Sequence, residues 1–131
     1  MPSKEIKDLT QNLQAAFCAL REKYTALYPD RDVMLTCTYR SPAEQAELYQ
    51  SGRSKQGPVL THKDGVRWLS KHNELPSRAF DVLVLVEGKG SYAVPYYEPL
   101  GEIAEALGIV WGGSWKRLKD YCHFQEKEET V

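Results

Sequence analysis

The sequence predicts an α+β fold, with helices packed on one side of a small, mainly antiparallel sheet. Three observations carry that prediction. Apolar residues recur at helical spacing in separate segments, short apolar and β-branched runs stand between them, and Gly- or Pro-containing turns punctuate the chain. At 131 residues and 42 % hydrophobic content, the chain suits a single domain, 1–131, that buries a core without disulfide help.

From Glu5 to about Tyr28, the residues Ile6, Leu9, Leu13, Ala16, Phe17, Leu20 and Leu27 follow three- and four-residue steps, the spacing of one apolar helix face. Tyr28-Pro29-Asp30 is expected to end that helix. Val33 to Thr38 reads as a buried strand. A second helix should follow to about Gln50, because Ser41 suits the N-cap, Pro42 the first turn and Glu44 the reciprocal position of a capping box. Ser51 to Leu69 carries breaking Gly and Pro residues and reads as a loop long enough to be functional.

Ala79 to Val86 is the strongest strand, apolar except for Asp81, and Gly88 and Gly90 turn the chain after it. Pro95 to Leu107 predicts a third helix with Leu100, Ile103, Ala104 and Leu107 inward, and Gly108 stands where a left-handed residue is expected. Ile109 to Trp111 reads as a strand, Trp111 to Trp115 as a turn, and Tyr121 to Gln125 as extended. The charged tail Glu126 to Val131 is expected to fray.

Charge narrows the partners. With 17 basic and 18 acidic residues the formal net charge is -1, so the cationic excess that neutralises many phosphates is missing and nucleic acid is not an expected partner. Cys18, Cys37 and Cys122 are an odd number without CxxC spacing, which predicts reduced thiols. No window approaches the roughly 18 apolar residues of a membrane span, and the start lacks the apolar stretch of a signal peptide.

Chemistry concentrates around Asp81. A carboxylate within an apolar strand is costly unless it is partnered, and a metal cation is one sufficient partner. The bland alternative is an ion pair with Arg78 or Arg40. His72 and His123 favour the metal, since two imidazoles and a carboxylate are a common catalytic zinc set that leaves a fourth position to water. Asp120, three residues before His123, is placed to act as a general base. His62 lies in a polar loop and reads as solvated. Cys122 reads as core, because neighbours on an extended segment point to opposite faces.

Three blocks in order extend this reading: Tyr39-Arg40-Ser41 with Gln45 and Gly52-Arg53, then Ser70-x-His72 through Ala79-x-Asp81, and finally Trp111-Gly112 with Asp120-x-x-His123-Phe124. Over residues 36–125 the chain resembles the zinc D,D-peptidases and L-alanyl-D-glutamate peptidases, which include phage endolysins and D-alanyl-D-alanine carboxypeptidases and dipeptidases. The resemblance implies Zn2+ held by His72, Asp81 and His123 on the sheet face away from the helices. It further implies Asp120 as general base and Arg40 as the cation facing the scissile carbonyl. Gln45, Ser70, Trp111 and Trp115 are substrate-side candidates, Ser70 through a ligand that it orients. The bland readings are a surface cation paired with Glu44 or Glu47 for Arg40, and simple packing for the two tryptophans.

The family pattern usually separates His from Asp by seven residues with a glycine between, whereas here the spacing is nine and Ser77 stands at the glycine position. A longer turn around Glu74-Leu75-Pro76 is expected to absorb the difference. The implied activity is hydrolysis of peptidoglycan stem peptides, at the L-alanyl-D-glutamate bond in a phage-type endolysin. Alternatives are a D-alanyl-D-alanine carboxypeptidase or dipeptidase, and a non-catalytic zinc-stabilised wall-binding module. By analogy the protein is expected to be a monomer held in the host cytoplasm before lysis, with no stable membrane insertion and with a holin-type partner that delivers it to the wall.

Overall fold

Along the strand Ala79–Val86 the side chains of Phe80, Val82 and Val84 are fully buried, while those between them are partly exposed, so one face of this strand is core and the other is not. The computed structural model describes residues 2–51, 53, 59, 61, 63, 65 and 70–128. Its helices are α1 (Gln11–Leu27), α2 (Pro42–Tyr49) and α3 (Glu98–Ala106). Its strands are β1 (Arg31–Cys37), β2 (Ala79–Val86), β3 (Lys89–Ser91), β4 (Val110–Trp111) and β5 (His123–Gln125).

The sheet runs β1-β2-β5-β4, with β3 pairing the far end of β2, and every ladder is antiparallel. The expected α+β architecture is therefore present. Phe17 of α1 meets Phe80 edge-on at 5.5 Å, and Phe124 of β5 stacks on Phe80 at 5.4 Å. Around these rings Leu13, Leu20, Leu100 and Ala104 close the core from α1 and α3. The remaining helix, α2, buries only Gln45.

Several boundaries differ from expectation: β1 runs over Arg31–Cys37 and not Val33 to Thr38, and α3 starts at Glu98 because Val94–Tyr96 form a separate 3-10 turn. α1 begins at Gln11, because Thr10 caps it by accepting the Leu13 N–H, and residues Ile6–Asp8 form a separate 3-10 turn. Between them Leu9 is held extended as a parallel bridge to Ser77, with Ser77 donating to the Asp8 carbonyl and Thr10 to that of Ser77. Leu9 still reaches the core, 1 % exposed, which is why its apolar step fits the helical pattern without being helical. The strand β3 is also additional: Glu87 and Gly88 both adopt positive φ, the two-residue turn that folds a tight hairpin.

The capping box at Ser41 and Glu44 is present in both directions, and Gly108 takes the left-handed conformation at φ 84. The segment after β5 is tied down as far as Glu128. Glu126 accepts from Arg78 and Thr10, and Glu128 pairs with Lys71. The tail expected to fray is thus held through Glu128, and its last three residues lie outside the described residues.

Candidate metal centre

Antiparallel register brings the distant residues together. On the face of β2 away from the helices, Asp81 lies opposite His123 of β5 and opposite Cys37 of β1, where an irregularity between Leu35 and Cys37 shifts the pairing. His72 comes from the 3-10 turn Lys71–Asn73, which Ser70 caps by accepting the His72 N–H while Asn73 reaches back to the Ser70 N–H. The turn is also pinned to the segment after β1, since Arg40 N–H donates to the His72 carbonyl and the Asn73 amide donates to that of Arg40.

Three side-chain atoms converge. His72 Nε2, His123 Nδ1 and Asp81 Oδ1 are separated by 3.2, 3.2 and 3.0 Å. The outward nitrogens have acceptors of their own. His72 Nδ1 donates to the Thr38 carbonyl at 2.8 Å, and His123 Nε2 donates to Gln125 Oε1 at 2.8 Å, which leaves the inward nitrogen of each ring to offer a lone pair when the ring is neutral. Three electron-rich atoms facing one another repel unless a cation or proton lies between them. Ligands at about 2.0 Å from a tetrahedral zinc stand about 3.3 Å apart, close to the observed triangle, so the residues fit that ion.

Without a cation a proton has to take its place. His72 is pushed up to about 10: its burial works against protonation, but the Asp81 charge and hydrogen bond outweigh that. Burial would raise the Asp81 carboxyl, yet the charge on His72 and the bonds to both imidazoles hold it well below the usual range. The other Asp81 oxygen faces Arg40, whose Nη2 is 3.6 Å away. Arg40 Nη1 donates to Gln45 Oε1 at 2.8 Å, and Gln45, fully buried, donates onward to Thr61 Oγ1 and the Lys63 carbonyl. Arg78, the other cation considered for Asp81, instead meets Glu126 and Glu74.

Asp120 stands beside the triangle, its carboxylate within 4.8 Å of the ligand atoms of Asp81 and His123. Its backbone is set by Gly112, whose carbonyl accepts the Asp120 N–H, and a Cβ at Gly112 would come within 2.4 Å of the Asp120 carbonyl oxygen. Cys122 donates its thiol to Asp120 Oδ1 at 3.2 Å, and burial pushes that thiol far up, so it stays protonated. Cys37 Sγ lies 3.7 Å from His72 Nδ1, and Cys37, His72 and Asp81 make a second group whose possible ligand atoms all lie within 4.8 Å of one another.

The two tryptophans part company. Trp111 packs against Gly101 of α3 and donates its indole N–H to the Tyr121 carbonyl, as a core-side element. Trp115 lies 5.1 Å from the His123 ring and lines a groove of about 720 Å³ that also contains Arg40, Ser70, His72, Asp81 and Asp120. His62 lies outside the described residues. The longer turn expected between His72 and Asp81 is there, and Ser77 within it is buried, donating to the same Thr38 carbonyl that orients His72.

Sequence reasoning did not single out the outer partners, Thr38 and Gln125. Gln125 had a readable signal, since it stands two residues beyond His123 on an extended segment and so shares its face. The Thr38 contact is made by a backbone carbonyl and leaves no mark on the sequence.

Known proteins resemble this chain in sequence and in fold. Residues 63–126, which include His72, Asp81, Asp120 and His123, match a family model described as D-alanyl-D-alanine carboxypeptidase. The chain is 36 % identical over 102 residues to the peptidoglycan L-alanyl-D-glutamate endopeptidase CwlK of Bacillus subtilis (strain 168), a match covering 72 % of this chain and 60 % of that protein. The fold resembles the crystal structure of the Serratia marcescens L-Ala D-Glu endopeptidase ChiX, with a TM-score of 0.68 and 23 % identity, covering 93 % of this chain and 83 % of that one.

Proposed function

We propose that the chain, whose residues 63–126 match a family model described as D-alanyl-D-alanine carboxypeptidase, is a zinc-dependent peptidase of peptidoglycan stem peptides that cuts the L-alanyl-D-glutamate bond. The observation that carries the proposal is the triangle of inward lone pairs at His72, Asp81 and His123, open to a groove with Asp120 at its side. The choice of bond is supported by the name of the 36 % identical relative.

In this reading His72, Asp81 and His123 would hold the zinc, which would supply the positive charge needed to polarise the scissile carbonyl and acidify the attacking water. Asp120 takes the proton from that water and passes it to the leaving amine. Arg40, whose guanidinium is held in place by Gln45 and Asp81, stabilises the negative charge that grows on the carbonyl oxygen. Trp115 walls the groove beside His123, and Ser70 keeps the His72 turn in register.

Elemental analysis of the purified protein, with digestion of muropeptides before and after chelation, tests the proposal. One zinc per chain and chelator-sensitive release of products ending at L-alanine are expected. Release of only a terminal D-alanine replaces the bond with the one the family model names, and digestion that survives complete metal removal refutes the zinc mechanism. The finer role we assign is that of a phage-type endolysin, supported by the order of its motif blocks. Cytoplasmic expression should then leave host cells intact until their membrane is permeabilised, and lyse them afterwards.

A further inference from the structure

The groove holds more than the metal centre needs. Arg40, Lys63, Lys71, Arg117 and Lys119 line it against three acids, Asp81, Asp120 and Glu128, in a chain whose net charge is -1. Arg40 is committed to Asp81 and Gln45, and Lys63, Arg117 and Lys119 are exposed. Lys71 is different: its side chain is only 13 % exposed, and its ammonium meets Glu128 Oε1 at 2.9 Å, a side chain that is 82 % exposed.

A mostly buried ammonium needs an anion, because an unpaired charge there loses its hydration without return. Glu128, by contrast, loses little by letting go. It lies beyond the last strand, faces water, and belongs to a pair whose exposed member is readily resolvated. The structure thus pairs a largely buried cation with a replaceable carboxylate. The cation is the less movable partner, because its stem is largely buried and its backbone is held in the capped turn before His72, where its carbonyl accepts the Arg78 N–H.

We propose that Lys71 is a specificity-determining residue of the groove, receiving a free carboxylate of the substrate's glutamyl residue, and that Glu128 occupies its place until substrate arrives. The assignment rests on the peptidase reading above. A glutamyl residue linked through one carboxyl group keeps the other, so cutting at its amino side leaves an anion close to the scissile bond. That anion exchanges with Glu128 at Lys71 without leaving the lysine unpaired at either end of the exchange.

The test compares two synthetic L-alanyl-D-glutamyl peptides, one with the free carboxylate and one with that group as its neutral amide. The zinc-loaded protein should prefer the carboxylate by roughly ten-fold or more in kcat/KM, the difference lying mainly in KM. Lys71→Met should bring the ratio to about one and Lys71→Arg should restore most of it. Glu128→Gln removes the internal competitor by changing an exposed side chain, and should lower KM for the carboxylate peptide. An unchanged ratio in Lys71→Met, no preference in the parent protein, or an unchanged KM in Glu128→Gln overturns the assignment and leaves the peptidase reading standing. Failure of the parent protein to cut either peptide overturns both.

Discussion

At the residue level, each member of the triangle is set by what its far side touches. Gln125 holds the outer nitrogen of His123, and outer partners of this kind typically change metal affinity by about 10- to 100-fold. Gln125→Leu is therefore expected to weaken zinc binding by roughly that factor, read by competition with a chromophoric chelator. An unchanged affinity would mean that the ring is oriented by packing against Trp115 instead. Asp120 touches the triangle without belonging to it. Asp120→Ala should keep one zinc per chain and lose about 100- to 10,000-fold in muropeptide turnover, while a wall-binding module would show no turnover in either form.

Among the elements, the segment Gly112–Ser114 and the chain that returns from it to β5 decide where Asp120 stands. The Gly112 carbonyl accepts the Asp120 N–H, and the space above its Cα is filled by backbone, which cannot yield as a flexible side chain could. Gly112→Ala is accordingly expected to destabilise the fold by about 1–3 kcal/mol and to displace Asp120. Thermal denaturation checks the first effect, and turnover of the fully zinc-loaded protein checks the second. A normal melting temperature with normal turnover would show that the loop adapts. The capped helix α2 plays a parallel part, because its one buried side chain, Gln45, is the group that steadies Arg40.

For the whole molecule, the convergence of three acceptors makes metal loading and protonation compete. His72, raised to about 10, carries a proton at neutral pH when no cation is present, and a ligand imidazole must release it. Because the raised value keeps that proton bound until the pH nears 10, the apparent zinc affinity should climb as pH rises from 6 toward 9. Calorimetry at pH 7 in buffers of differing ionisation enthalpy should report about one proton released per zinc. A pH-independent affinity would place the proton elsewhere. Chelation should also lower the melting temperature, since an ion bound only by the folded chain stabilises it by mass action.

The sequence alone determined the periodic and the chemical parts of this protein. Helical spacing located α1 and α3, the S-P-x-E start located α2, and the apolar run around Asp81 marked both the central strand and its costly carboxylate, because each is a local signal with a local cause. Only Asp81 stood out among the triangle's residues by its surroundings; His72 lies in a polar segment, and its grouping with His123 was carried by residue type and by the family resemblance. Tertiary structure decided the rest. The pairing of Leu9 with Ser77 overrode a helical pattern, the backbone carbonyl of Thr38 met the outer nitrogen of His72, and the register of β2 against β5 set Asp81 opposite His123. Each of these depends on hydrogen bonds between segments far apart in the chain, and such contacts leave no period in the sequence from which to read them.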